Sequence, residues 1–149
     1  MKVVSLINRY TGKVANLIPD FSIPLIGRLA IFFVFWRSVQ TKIDGLELFG
    51  QDFAFWNLTS STFMLFEYEY GLPMPTIAAY AGTFGEFFLS LLILLGLFTR
   101  FSALGLIVMT CVIQFVYPSG WPQHILWLGI LLYLLKSGGG KIALDAAMR

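Results

Sequence analysis

The longest apolar run of the chain, residues 75–101, constrains the fold most, because it can cross a bilayer and carries one carboxylate at its middle. At 1.5 Å per residue, a helix over residues 76–97 rises about 33 Å, against a hydrocarbon core about 30 Å thick. Glu86 then lies near the midplane. A carboxylate at that depth is costly unless it is protonated or paired, so Glu86 is a candidate functional residue. The alternative is a carboxylate that only clamps the helices through a fixed partner.

The neighbours of Glu86 at helical spacing are small or polar. Ala78, Gly82, Thr83 and Ser90 share its face of the helix. Such a face packs on protein and not on lipid. We therefore expect Glu86 to point into the protein, with Arg28, Lys42 or His124 as its partner.

The composition is that of a membrane protein. Of the 149 residues, 58% are hydrophobic and only 12% are charged, which leaves too little polar surface for a soluble domain. We therefore expect an integral membrane protein whose first partner is the lipid bilayer. The net charge of +2 and the scattered basic residues argue against a nucleic-acid partner.

Cysteine and histidine are too few for metal chemistry. Cys111 and His124 are the only residues of their types, so the chain encodes no disulfide framework, haem, iron–sulfur or zinc site. We expect any redox chemistry to come from a partner or a bound cofactor. A quinone is the candidate, since it needs an apolar slot for its ring and hydrogen-bond donors for its carbonyls.

The periodicity predicts an all-α fold, an integral membrane four-helix bundle that forms a single membrane domain over residues 1–149. Residues 1–18 are amphipathic and basic, which indicates a helix lying on the membrane surface. Asn8 and Arg9 interrupt its apolar residues, which argues against a signal peptide. The predicted spans are residues 23–39, 76–97, 101–117 and 122–135.

Residues 41–74 form a long acidic and aromatic loop on the outer side. Its aromatic residues suit a lid at the headgroup level better than a soluble loop. Ser60 or Ser61 can cap a short helix that runs through Tyr68. We expect the lid to cover the outer ends of the spans with Phe53, Trp56, Phe63 and Phe66.

The basic residues predict the orientation. Most of them flank one side of the spans, and only Lys42 and the marginal Arg37 flank the other. Positive charge marks the cytoplasmic side, so both termini are predicted to be cytoplasmic in a multi-pass protein of a bacterial-type inner membrane. The residues of the basic side are Lys2, Arg9, Lys13, Arg100, Lys136, Lys141 and Arg149.

Polar residues from all four spans could line one outward pocket beneath this loop. A helix count of depth places Glu86, Gln114 and His124 at comparable levels, where contact with lipid would leave them unsatisfied. Two alternatives stay open: Arg28 can snorkel to the nearer interface, and His124 can meet water beside Trp121. The candidate substrate-binding residues are Arg28, Lys42, Glu86, Gln114 and His124.

Four sequence features occur in a fixed order and spacing after the first twenty residues. Arg28 precedes Lys42 by fourteen residues, and Pro75 precedes the second span. Gly85 and Glu86 lead to the run LLGLFTRF, and the tail reads GGGKIALD. Together these features resemble the DoxX-like family of membrane proteins. Val39 departs from the family pattern, which often has a small residue there, and Ala143 stands where the family often has serine.

The resemblance implies a redox-associated membrane subunit, similar to the small subunit of a thiosulfate:quinone oxidoreductase. Some members accompany systems that modify small secreted metal-binding peptides. The leading hypothesis is thus a membrane subunit that holds a quinone or a small sulfur substrate in the outer pocket. The alternative is a non-catalytic scaffold or carrier that docks a partner protein or a second copy of the chain.

Overall fold

The computed structural model describes residues 2–148 as a mostly helical chain. Three helices, α2, α4 and α5, are long and apolar enough to cross a membrane, while α6 has 17 residues. The chain is therefore a helical membrane protein. The helices are α1 (Lys2–Ala15), α2 (Ser22–Gln40), α3 (Ser60–Met64), α4 (Pro75–Leu95), α5 (Thr99–Val116), α6 (Trp121–Ser137) and α7 (Leu144–Ala147).

Helix α4 ends two residues before the predicted end of its span, because Gly96 adopts a left-handed conformation with φ of 67°. The amide of Gly96 donates to the carbonyl of Ile93, and the amide of Leu97 donates to that of Leu92. This bonding closes the helix in the way that a glycine cap does. Helix α5 starts at Thr99, so the short connection makes α4 and α5 antiparallel neighbours.

The four long helices contact one another in a ring. Helix α2 packs against α4 and α6, and α5 also packs against α4 and α6. Each long helix therefore has protein on part of its surface and leaves the rest free for lipid. The shared core comprises Ile31, Phe35, Ile93, Ala103, Leu106, Leu131 and Leu134.

The segment between α2 and α4 contains two short strands, which the all-α prediction did not include. Strands β1 (Glu47–Leu48) and β2 (Gln51–Asp52) pair in antiparallel fashion. The side-chain amide of Gln40 ties this hairpin to α2, because it bonds both main-chain polar groups of Asp52. We call residues 41–74 the outer segment.

The predicted cap of the short helix was wrong by one residue. Thr59, and not Ser60 or Ser61, is the N-cap of α3, with an extended ψ of 154°. Its hydroxyl accepts from the amide of Thr62 at 3.3 Å. The helix then widens into a π-helical turn, Leu65–Glu69. Such turns often occur at functional sites.

Opposite charges gather at the two ends of the ring. Arg28, near the start of α2, donates to carbonyls at the end of α4 and just after α6, which places these three helix ends together. We call this the basic end, since Arg100, Lys136 and Lys141 lie there. The other end carries the outer segment with Asp44, Glu47, Asp52, Glu67 and Glu69.

Candidate functional site

A buried ion pair joins Lys42, two residues after the end of α2, to the middle of α4. Nζ of Lys42 lies 2.9 Å from Oε2 of Glu86, and the two side chains are only 8% and 5% exposed. A charge so well removed from water needs a partner, because desolvation of an unpaired ion is costly. Lys42 was one of three partners predicted for Glu86, and it is the one that the structure pairs with it.

The ammonium group of Lys42 has a partner for each of its three protons. Besides Glu86, it donates to the hydroxyl of Ser38 at 2.5 Å and to the carbonyl of Ser38 at 3.3 Å. An ammonium carries three donors, so its bonding capacity is filled. Lys42 is therefore held in one position and neutralises Glu86 without reaching further.

The main chain of Lys42 also anchors the outer segment. Its carbonyl accepts from the amide of Thr59 at 2.9 Å and from the hydroxyl of Thr62 at 3.0 Å. The N-terminus of α3 is thus fixed to Lys42, one member of the ion pair. A substitution that moves Lys42 would consequently displace the outer segment.

A cavity of about 240 Å³ lies beside Glu86, between α4, α5 and the outer segment. Lys42 bonds only Oε2, and the residues that the structure describes provide no hydrogen bond to Oε1. Glu86 therefore lines a space with mostly apolar walls, and its Oε1 keeps an unused acceptor. The lining consists of Phe66, Tyr70, Leu72, Ala78, Gly82, Glu86, Val108, Met109, Val112 and Ile113.

The π-helical turn brings Phe66 onto the small face of α4. Phe66 is buried, and a Cβ atom built on Gly82 would lie 2.7 Å from its Cζ. Gly82 therefore allows an approach that no other residue type permits without displacing the ring. At Gly82, the small face predicted around Glu86 receives the outer segment.

Tyr70 also lines this cavity. Its ring stacks on Phe66 at a centroid distance of 4.8 Å and meets the edge of Tyr117 at 6.1 Å. Burial, followed by the nearby charges of Glu86 and Glu69, raises the pKa of Tyr70 to about 12. Tyr70 therefore remains a protonated hydrogen-bond donor at neutral pH.

Tyr117 closes this side of the site through a hydrogen bond from its hydroxyl to Glu69. Burial raises the pKa of Tyr117, and the bond to Glu69 raises it as well. The contact joins the end of α5 to the π-helical turn. It holds the outer segment against the cavity from the side opposite to Lys42.

Arg28 lies apart from this cavity, which corrects its assignment to the outward pocket. Its guanidinium donates to the carbonyls of Ile93 at 3.0 Å, Leu94 at 2.5 Å and Gly139 at 3.1 Å. These carbonyls lie at the C-terminal ends of α4 and α6, where a cation is favoured. Arg28 is 4% exposed, so it neither snorkels to an interface nor faces Glu86.

Gln114 and His124 form a second pair. Nδ1 of His124 lies 2.6 Å from Oε1 of Gln114, whose Nε2 donates to the carbonyl of Pro118. Because Oε1 can only accept, Nδ1 carries the proton and donates. Neither residue lines the Glu86 cavity. Within residues 2–148, the five predicted residues thus occupy three places and do not line one common cavity.

The aromatic cover divides in a similar way. Of its four predicted members, only Phe66 lines the cavity. Phe53 packs on Trp36 at 5.4 Å, Phe63 packs on Tyr80 at 5.8 Å, and Trp56 is 55% exposed. Phe53 and Phe63 thus fasten the outer segment to α2 and α4, whereas Trp56 stays largely exposed.

Sequence reasoning missed Ser38, Tyr70 and Met109. Ser38 precedes Lys42 by four residues, so helical spacing could have found it. Nothing in the sequence distinguishes Tyr70 from the other aromatic residues of the outer segment. Within residues 2–148, no group of three or more His, Cys, Asp or Glu side chains could hold a metal ion.

Comparison with known proteins gives one match. The family model named DoxX matches residues 23–118, a range that includes α2, the outer segment, α4 and α5. Both residues of the buried ion pair lie within it. No curated protein and no solved structure matches the chain.

Proposed function

This chain belongs to the DoxX family, a family of membrane proteins often linked to redox-related functions, and we propose that it binds a quinone-like ring in the Glu86 cavity as the membrane subunit of a redox-associated system. The observation that carries the proposal is the open Oε1 acceptor of Glu86 in a mostly apolar cavity. Apolar walls with a few placed polar groups are typical of ligand sites.

The polar groups of the cavity suit both redox forms of such a ring. A quinol hydroxyl can donate to Oε1 of Glu86, and a quinone carbonyl can accept from the hydroxyl of Tyr70. Lys42 stays bound to Oε2 and offsets the charge of the carboxylate. When bound, the quinone would supply the electron chemistry, while this chain's residues orient the ring and exclude water.

The size of the cavity limits what can bind. Its volume of about 240 Å³ is below the roughly 300–1,000 Å³ of typical drug-sized ligand pockets. It therefore suits a single ring better than a flavin or a haem. Val108 and Val112 are both part of the lining and exposed on α5, so an isoprenoid tail could leave toward the lipid.

The other predicted substrate, a small sulfur compound, fits less well when it is an anion such as thiosulfate. The carboxylate of Glu86 would repel an anion, and the rest of the lining offers few donors. The binding site for a thiosulfate-like substrate would therefore lie on a partner protein. This chain would then hold the quinone that the partner protein reduces.

We also propose that α6 completes a fourth span. Its 17 residues can reach across a thinned or shielded region of bilayer, and its contacts with α2 and α5 match those of the other long helices. The concentration of Arg and Lys at the basic end supports cytoplasmic termini in an inner membrane. The outer segment then faces the other side.

A scaffold that docks a partner protein or a second copy is the second candidate. The outer segment leaves Phe49 99% exposed and Tyr68 77% exposed, and exposed aromatic residues favour protein interfaces. In that role the Lys42–Glu86 pair would only set the helix register. The two candidates differ in whether the cavity holds a ligand.

The test is binding of a short-tailed quinol analogue to the purified full-length chain in nanodiscs. We expect Glu86→Gln to weaken binding about tenfold or more, because a hydrogen bond to a charged group contributes about 1.5–3 kcal/mol. Glu67→Gln, in the exposed outer segment, is the matched control and should bind normally. Val108→Trp should block the cavity, whereas Leu104→Trp, one turn away on α5, should not. If Glu86→Gln and Val108→Trp both bind the quinol analogue as tightly as the wild type, the scaffold is the better explanation.

A further inference from the structure

A second and larger cavity opens at the basic end, on the side of the ring away from Glu86. Its volume is about 660 Å³, and it lies between the start of α5, the glycine-rich turn after α6 and the last helix, α7. Two cationic side chains line it, Arg100 and Lys141. Nothing in the proposed redox role uses this space.

The two cations are only lightly engaged. Arg100 donates to the carbonyl of Lys136 at 3.2 Å, which uses one of the five N–H donors of its guanidinium. Lys141 pairs with Asp20 at 3.7 Å, but both side chains are at least 80% exposed. An exposed pair contributes little, so a stronger anion can replace it.

The acidic residue of the cavity is already bound. Both carboxylate oxygens of Asp145 accept main-chain amides, from Phe98 at 2.8 Å and from Thr99 at 2.9 Å. Its charge also interacts with Arg28. Asp145 therefore caps the start of α5. Because the two amides and Arg28 offset its charge, Asp145 repels an anion beside Arg100 only weakly.

Exposed apolar side chains stand next to the cations. Phe98 is 63% exposed, Phe101 is 67% exposed, and Met148, which also lines the cavity, is 63% exposed. Phe98 and Phe101 lie where α4 ends and α5 begins, the level at which a membrane helix meets the headgroups. Cations directly beside apolar surface match a ligand with a charged head and acyl chains.

We propose that this cavity binds the phosphate headgroup of an anionic phospholipid. Arg100 and Lys141 contact the phosphate, and Phe98 and Phe101 lie against the upper acyl chains. Basic pockets between helices on the cytoplasmic side are known to suit such headgroups. The site would hold α5, α6 and α7 together at the end opposite to the outer segment, whatever the Glu86 cavity binds.

The test is native mass spectrometry of the full-length chain with phosphatidylglycerol and with phosphatidylcholine. Each basic residue near an anionic surface contributes about fivefold in affinity, so Arg100→Gln/Lys141→Gln should bind phosphatidylglycerol about thirtyfold more weakly. Arg37→Gln is the matched control, because Arg37 is an exposed arginine at the far end of α2. Binding by Arg37→Gln should equal that of the wild type.

Three results would overturn the proposal. They are equal binding of phosphatidylcholine, an equal loss in Arg37→Gln, and binding of glycerol 3-phosphate as tight as that of the lipid. The last would show a site for a soluble anion. Circular dichroism and gel filtration show whether the double variant folds. If it does not, the single variants Arg100→Gln and Lys141→Gln replace it, and each should bind phosphatidylglycerol about fivefold more weakly. An unchanged affinity in both single variants would overturn the proposal.

Discussion

The ammonium of Lys42 and the carboxylate of Glu86 meet at 2.9 Å across 44 residues of sequence, and this contact joins the end of α2 to the middle of α4. Lys42 uses only one oxygen of the carboxylate. The pair is therefore both a clamp between helices and a means of holding a charged acceptor in an apolar cavity.

The first prediction concerns this pair. Lys42→Met should destabilise the protein by about 3–5 kcal/mol, because it leaves Glu86 buried without a cation. The double variant Lys42→Met/Glu86→Gln should recover much of that loss, since no buried charge remains. Thermal unfolding in detergent measures both. A double variant less stable than Lys42→Met would contradict the assignment of an uncompensated charge.

The second prediction uses the close approach of Gly82 to Phe66. Gly82→Ala places a methyl group 2.7 Å from Cζ of the Phe66 ring. We therefore expect the free energy of unfolding to fall by about 1–3 kcal/mol and quinol binding to weaken. Gly129→Ala is the control, because a Cβ there meets nothing within 4 Å. It should be neutral or slightly stabilising. Replacing Phe66 by Leu in the Gly82→Ala background should restore stability, and no recovery would argue against the contact.

The third prediction is a pH dependence. The pKa of Tyr70 is raised from 10.0 to about 12, chiefly by burial and then by the charges of Glu86 and Glu69. Above pH 10 the unfolded tyrosine ionises first, so the free energy of unfolding should fall between pH 10 and about 12. Tyr70→Phe should make that fall shallower. In an ultraviolet titration, Glu86→Gln should lower the pKa of Tyr70, and an unchanged value would place Glu86 too far away.

The fourth prediction separates Arg28 from the cavity. Arg28→Met removes three donors from the ends of α4 and α6, and we expect a loss of about 3 kcal/mol or more. Arg37→Met, an exposed arginine on the same helix, should change stability by less than about 0.5 kcal/mol. Quinol affinity of the folded Arg28→Met fraction should stay normal. A specific loss of affinity would return Arg28 to the binding site.

The fifth prediction concerns topology. In a background of Cys111→Ala, we expect Glu47→Cys, in the outer segment, to react with a membrane-impermeant maleimide added to intact cells. Lys13→Cys, in α1, should react only after the cells are opened. Labelling of both positions from the same side would refute the proposed orientation.

Local patterns in the sequence were enough to predict the long helices and the polar side of α4. The apolar run of residues 75–101 predicted α4, the apolar stretch of residues 101–117 predicted α5, and Lys42 was among the partners predicted for Glu86. Helix periodicity, glycine caps and the cost of a buried carboxylate act over a few residues, so they are visible without a fold. The helix ends moved by a residue or two where Gly96 and Thr59 cap the chain.

Only the tertiary structure decided which polar groups share a site. Arg28 and Lys42 have similar signals in the sequence, but Arg28 lies with the ends of α4 and α6, whereas Lys42 reaches Glu86. Tyr70 joined the cavity because a π-helical turn lays its ring on Phe66. The physical reason is that composition and periodicity determine which face of a helix is buried. The partner of that face depends on contacts between residues far apart in the chain, which no local pattern contains.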